Sequence, residues 1–154
     1  MDKAAIARTV AAELQAARGR LAAALNNLAG PFGKQYRVCV TDLYYASFHL
    51  ASALLAAKGL RARSHEAAQE LLALHFVKPG ALPADTSRKM SALMDRRHAA
   101  DYKSFVPMDA SDVAEFGPWV RAFFRDALKL LGKSAPAAER AELTRLLREL
   151  ERLG

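Results

Sequence analysis

The 154-residue sequence has a single cysteine, Cys39, so no disulfide can close within the chain and a disulfide-stapled scaffold is excluded. Cys39 lies in an apolar stretch, where a small core hydrophobe is expected; a reactive thiol needs a positive, partly exposed setting. Glycine and proline are scarce, at eight and six residues, which argues against a disordered or low-complexity chain. There is no Gly-rich phosphate loop and no Gly-x-Ser-x-Gly elbow, so a nucleoside-triphosphatase or an ordinary serine hydrolase is not expected. The four histidines, His49, His65, His75 and His98, stand on separate segments with no pair one helical turn apart. No metal site and no cofactor is expected from them. No segment reaches 18 apolar residues free of charge, and Arg8, Glu13 and Arg18 interrupt the stretch where a signal peptide would have its apolar run. A cytoplasmic protein without a membrane partner is the expectation.

Acidic residues are in deficit. Lys and Arg number 23 against 16 Asp and Glu, a net charge of +7 with a pI near 9.9, which favours an acidic or nucleic-acid partner. The excess lies in residues 1–36, with five positive against two negative, and in 77–108, with six against three, while 109–154 balance at eight each. What is abundant is Ala, Leu, Arg and Glu, all strong helix formers. The length suits one domain.

Breakers cut the chain into helix-sized pieces. Residues 2–28 carry Ile6, Val10, Leu14, Leu21, Leu25 and Leu28 at near-helical spacing before Gly30-Pro31. Tyr36 to Lys58 predicts a second helix with Gly59 as its stop. Ser64 caps a third reaching about Phe76. A fourth runs from Asp85 or Thr86 to about Ser104. A fifth follows Asp109, with Ser111 or Asp112 as alternative caps, and extends to Leu131 with a kink or a fresh start at Pro118. After Pro136, Leu143, Leu146, Leu147, Leu150 and Leu153 mark an amphipathic tail helix. The sum is an all-α chain: an up-and-down four- to five-helix bundle over residues 1–132, with 133–154 an added helix of the same domain or a dimer contact.

Helix two is apolar around most of its circumference, which suits the centre of a bundle. Yet Arg37, Thr41, Tyr45, His49 and Ser52 recur every three or four residues and share one stripe. Such a stripe is either a solvent edge or the wall of a cleft where an Arg and a His could meet a phosphate. On helix four, Met90, Leu93 and Met94 pass into Arg97 and then Asp101 on the same face. An Arg at a core-facing position needs paired donors, and Asp101 is placed to accept them. The pair reads either as a locking salt bridge or as a guanidinium held at a groove for bidentate contact with phosphate.

Read together, Tyr44-Tyr45-Ala46-Ser47-Phe48-His49, Ala53-Leu54-Leu55, Gly59, Ser64-His65, Phe76-Val77-Lys78-Pro79-Gly80 and Arg97-His98-Ala99-Ala100-Asp101-Tyr102 resemble the HEPN domain family, over roughly residues 36 to 125. The resemblance implies a helical bundle that commonly dimerises and works in toxin–antitoxin, nucleotidyltransferase-partner or defence systems. In many members it also implies a metal-independent ribonuclease, with an Arg followed four to six residues later by a His on one late helix. The Arg would stabilise charge on the scissile phosphate while the His moves a proton at the 2′-hydroxyl. Here no histidine follows His98 on that helix; with four residues intervening, Arg96 leads to Asp101 and Arg97 to Tyr102. Arg97, Asp101 and Tyr102 are thus the candidates at the catalytic positions, and Arg37, Tyr45, His49 and Arg96 those for holding a ligand. A carboxylate beside arginines is a weak base at neutral pH; His49 or His65 could supply an imidazole from another helix.

The expectation is a non-catalytic binding module for RNA, a nucleotide or a nucleotidyltransferase-type partner, working as a homodimer. The alternatives are a metal-independent endoribonuclease toxin using Arg97 with a displaced acid or base, and a purely structural interaction subunit.

Overall fold

Near-helical spacing of Ala and Leu folds Lys3–Ala29 into α1, the first of six helices in the computed structural model, which describes residues 1–154. Asp2 caps it, its side chain accepting from the Ala5 backbone N–H at 2.7 Å. At its far end a Cβ on Gly30 would stand 2.6 Å from the Asn26 carbonyl oxygen, so the chain leaves α1 through a position only glycine fills comfortably. Helix α2, Tyr36–Ala57, ends as Gly59 turns to φ +74° and Leu60 N–H closes back on the Leu55 carbonyl. By length and composition α2 could span a membrane, but most of it is buried within the bundle, so it is the core helix that its apolar circumference foretold.

Ser64 caps α3, His65–Leu72, which continues as a π-helical turn over Ala73–Val77. Helix α4 spans Thr86–Tyr102, α5 Ala110–Leu131 and α6 Ala137–Leu153. Asp109 caps α5 in a reciprocal box with Asp112. The helix then runs unbroken through Pro118 rather than restarting there. Ala114, whose carbonyl loses its usual donor at Pro118, is exposed, so water can replace the missing bond.

One contiguous apolar core joins all six helices. Helix α2 lies at its centre, against α1 on one side and α3, α4 and α5 on the others. The tail helix α6 packs on α1 and α5 of the same chain, with Leu143 and Leu150 fully buried and Glu139 bridged to Arg18 of α1 at 2.7 Å. This arrangement brings the polar stripe of α2 between α1, α3 and the second half of α4.

Candidate functional site

Three arginines of α2 and α4 dominate the candidate residues, and the fold uses them differently. Arg37, at the start of α2, faces the last turn of α4, where backbone carbonyls run short of helical donors. Its guanidinium donates to the carbonyls of Ala99 at 3.3 Å, Ala100 at 2.9 Å, Lys103 at 3.4 Å and Ser104 at 3.5 Å, and also to Val106. Arg96 donates through Nε to the buried Asp112 carboxylate at 2.5 Å and through Nη2 to the Pro107 carbonyl at 2.9 Å. Both side chains are thereby engaged in holding helix ends and are poorly placed to take a ligand.

Arg97 is the exception. Its side chain is largely buried, yet it makes one hydrogen bond within the chain, to Asp101 Oδ2 at 3.4 Å. Its Nε is buried with no partner. Asp101 is itself steadied by Thr41, which donates to Oδ1 at 2.7 Å. The guanidinium lies 5.1 Å from the Tyr44 ring centre and 5.7 Å from that of Tyr45. A second guanidinium, from Arg20 of α1, lies 4.6 Å from the Tyr45 ring centre. All three distances suit cation–π attraction, which locates the charges without consuming their N–H donors.

Behind these cations sits an aromatic stack. His65 packs on Phe48 at 4.2 Å and shares a 2.5 Å hydrogen bond with the Tyr44 hydroxyl. Burial holds the His65 imidazole below its ordinary value, and the nearby Arg97 charge adds to that effect. Burial pushes the Tyr44 phenol up to about 12, against the lowering influence of Arg97. His49 bonds Glu13 of α1 at 2.8 Å, half-exposed at the edge of the stack. Beneath Arg20, Asp42 is buried and accepts from Arg20 at 3.1 Å and Asn27 at 2.9 Å. Burial raises its carboxyl even so, because those two donors offset the lost hydration only in part.

The structure therefore brings together Arg97, Asp101 and Tyr45, with His49 at the margin. Tyr102 stands outside this group, 70% exposed and packed against His98. Arg20 and the Tyr44–His65 pair complete the cluster. The reading from sequence passed over Arg20 because it is one of several charges on α1. The signal that could have found it is Asp42, the one acid on the core helix α2, since a buried carboxylate there needs a cationic partner.

Comparison with known proteins agrees with this architecture. The HEPN domain family model matches residues 10–131. A UPF0332 protein of Thermotoga maritima is 31% identical over 94 residues, covering 60% of this chain and 69% of its own length. A protein of Methanocaldococcus jannaschii named as a candidate toxin is 34% identical over 76 residues, 49% of this chain and 57% of its own. The chain thus spans less than two thirds of that second relative. The matched region takes in α2, α3, α4 and α5 whole and most of α1, and on that extent the chain belongs to the HEPN domain family.

Proposed function

We propose that this chain is a HEPN module of the toxin–antitoxin type that binds RNA, holding a phosphate between Arg97 and Arg20 with a base against Tyr45, and that it does not cleave what it holds. The observation carrying this reading is the contrast among the arginines. Arg37 and Arg96 are committed to the chain's own acceptors, whereas Arg97 is fixed in place with most of its five donors free. A preoriented guanidinium with unpaired donors suits a phosphate, and the half-buried Tyr45 ring beside it suits an unstacked base. The candidate-toxin relative and the positive net charge support the same reading.

Binding of a labelled 12-nucleotide RNA in EDTA, followed by electrophoresis of the same samples, tests it. Arg97→Ala should weaken binding roughly 10- to 100-fold, the range of one charge-assisted contact. Arg97→Lys, which keeps the charge but not the fork, should fall between. Equal affinity in all three proteins would defeat the reading.

One observation favours a second reading, a ribonuclease. Tyr44 links the two groups, its hydroxyl sharing a 2.5 Å hydrogen bond with His65 and its ring centre lying 5.1 Å from the Arg97 guanidinium, so an imidazole from α3 could take the role that the α4 motif leaves vacant. RNA cut by the wild type but not by His65→Gln would select it.

On the partner side, the reading includes self-association and a nucleotidyltransferase-type protein. Support for self-association comes from the end of the bundle that Arg37 ties together, where Phe32, Phe105 and Tyr102 are all strongly exposed.

A further inference from the structure

Between α5 and α6 runs an open groove of about 790 Å³. Five cations line it: Arg121, Arg125 and Lys129 from α5, and Arg140 and Arg148 from α6. Two carboxylates, Asp126 and Glu151, oppose them and leave the groove clearly positive. Arg121, Arg125 and Lys129 follow at four-residue steps, so they form a line advancing about 6 Å per step along the helix.

None of the five cations has a carboxylate within ion-pair distance, and four of them, Arg121, Arg125, Lys129 and Arg148, make no side-chain hydrogen bond either. This is not a habit of the helix. Arg145 and Arg152, on the same α6, each pair with a glutamate three residues earlier, at 2.6 and 2.7 Å. Arg140 closes the end of α5 by donating to the Gly132 carbonyl. Leu128 and Leu147 are the two hydrophobic side chains in its lining; the other eight lining residues are polar or charged. Helix α6 lies beyond the last residue of the HEPN match, so one wall of this groove comes from outside the family core.

We propose that the α5–α6 groove is a second binding site, one that tracks the phosphodiester backbone of a single RNA strand without reading its bases. Guanidinium forks suit phosphate oxygens, and a line of unpaired charge repeating each helical turn suits successive phosphates along an extended strand. An acidic peptide could meet the same charges, but the groove offers its side chains only two hydrophobic residues, Leu128 and Leu147, as anchors. The site is independent of the Arg97 reading, since the residues of that site come from α1, α2, α3 and α4.

The test is the salt dependence of binding of the full chain to a labelled 12-nucleotide oligouridylate. The variant is Arg125→Gln with Lys129→Gln and Arg148→Gln, all exposed side chains, so the fold should persist. Each phosphate contact on a single strand contributes about 0.7 to the slope of log affinity against log salt, so three lost contacts should lower the slope by about 2. Should the triple variant melt well below the wild type, single Lys129→Gln and Arg148→Gln proteins carry the test, each losing about 0.7. An unchanged slope overturns the proposal. So does oligoglutamate displacing the RNA as well as an equal charge of oligouridylate, which would make this an acidic-peptide site. A slope lost in the groove variant while Arg97→Ala binds like wild type upholds the groove and sinks the Arg97 site; the reverse result does the opposite.

Discussion

Removing Arg96 should cost stability and not binding, and the structure sets the size of the loss. Its Nε meets Asp112 at 2.5 Å, with the carboxylate side chain 3% exposed and the arginine 31% exposed. Asp112 also accepts from the Asp109 backbone N–H at 2.8 Å, the bond that starts α5. In Arg96→Ala that N–H is the one donor left to a buried charge, and the Pro107 carbonyl loses its partner as well. Breaking a fully buried pair costs roughly 3–5 kcal/mol. Because water reaches about a third of Arg96 and can enter the space it leaves, about 2–3 kcal/mol is expected here. At this chain length that corresponds to a fall of roughly 5–10 °C in Tm. Urea and thermal melts of Arg96→Ala, Asp112→Ala and the double variant measure the pair directly. The double variant should recover at least about 1 kcal/mol relative to the sum of the singles. A melt within experimental scatter of wild type, or strict additivity, would refute the assignment of Arg96 to the scaffold.

His65 supplies a pH test. Because its folded pKa lies below the ordinary 6.5, the unfolded chain takes up the proton first. The associated stability is whole above about 6.5 and declines as pH falls below it toward the folded value. Urea melts should show a shallower decline between about pH 7.5 and 5.5 in His65→Gln than in wild type; parallel declines would count against the stacked, neutral imidazole. Cys39, whose thiol burial pushes up to about 12 with Asp42 adding to the rise, should resist a thiol reagent in the native chain and react at the rate of unfolding. Fast labelling under native conditions would contradict its place in the core. If the exposed end of the bundle self-associates, sedimentation should show a dimer that Phe32→Asp with Phe105→Asp converts to monomer; a wild-type monomer at high concentration would remove that part of the reading.

The helices were legible because their signals are local. Ser64 and Asp109 cap helices within a few residues of themselves, and Leu143, Leu146, Leu147 and Leu150 announce the buried face of α6 by spacing alone. The Arg97–Asp101 pair was legible for the same reason, lying one turn apart on a face that is otherwise apolar. What the sequence hid depends on contacts between distant segments. Nothing near position 37 foretells that its guanidinium will gather carbonyls from residues 99 to 106. Arg96 and Arg97 are adjacent and chemically identical, yet the α4 turn sends one to Asp112 and the other toward Tyr44 and Tyr45. The Tyr44–His65 bond depends on how the chain between α2 and α3 folds back, and Arg20 meets Tyr45 only once α1 packs on α2. Pro118 left a kink or a fresh start open, and the choice between them is made by the exposed Ala114 carbonyl, which lets the helix continue.

The most direct test of the central claim is titration of a labelled 12-nucleotide RNA with wild-type, Arg97→Ala and Arg20→Ala proteins in EDTA, with each sample then run on a denaturing gel. The account predicts intact RNA throughout and affinity reduced by roughly tenfold or more in each variant, the effect of losing a charge-assisted phosphate contact. Undiminished binding in both variants would contradict the site, and RNA cleaved by the wild type would contradict the claim that it binds without cutting.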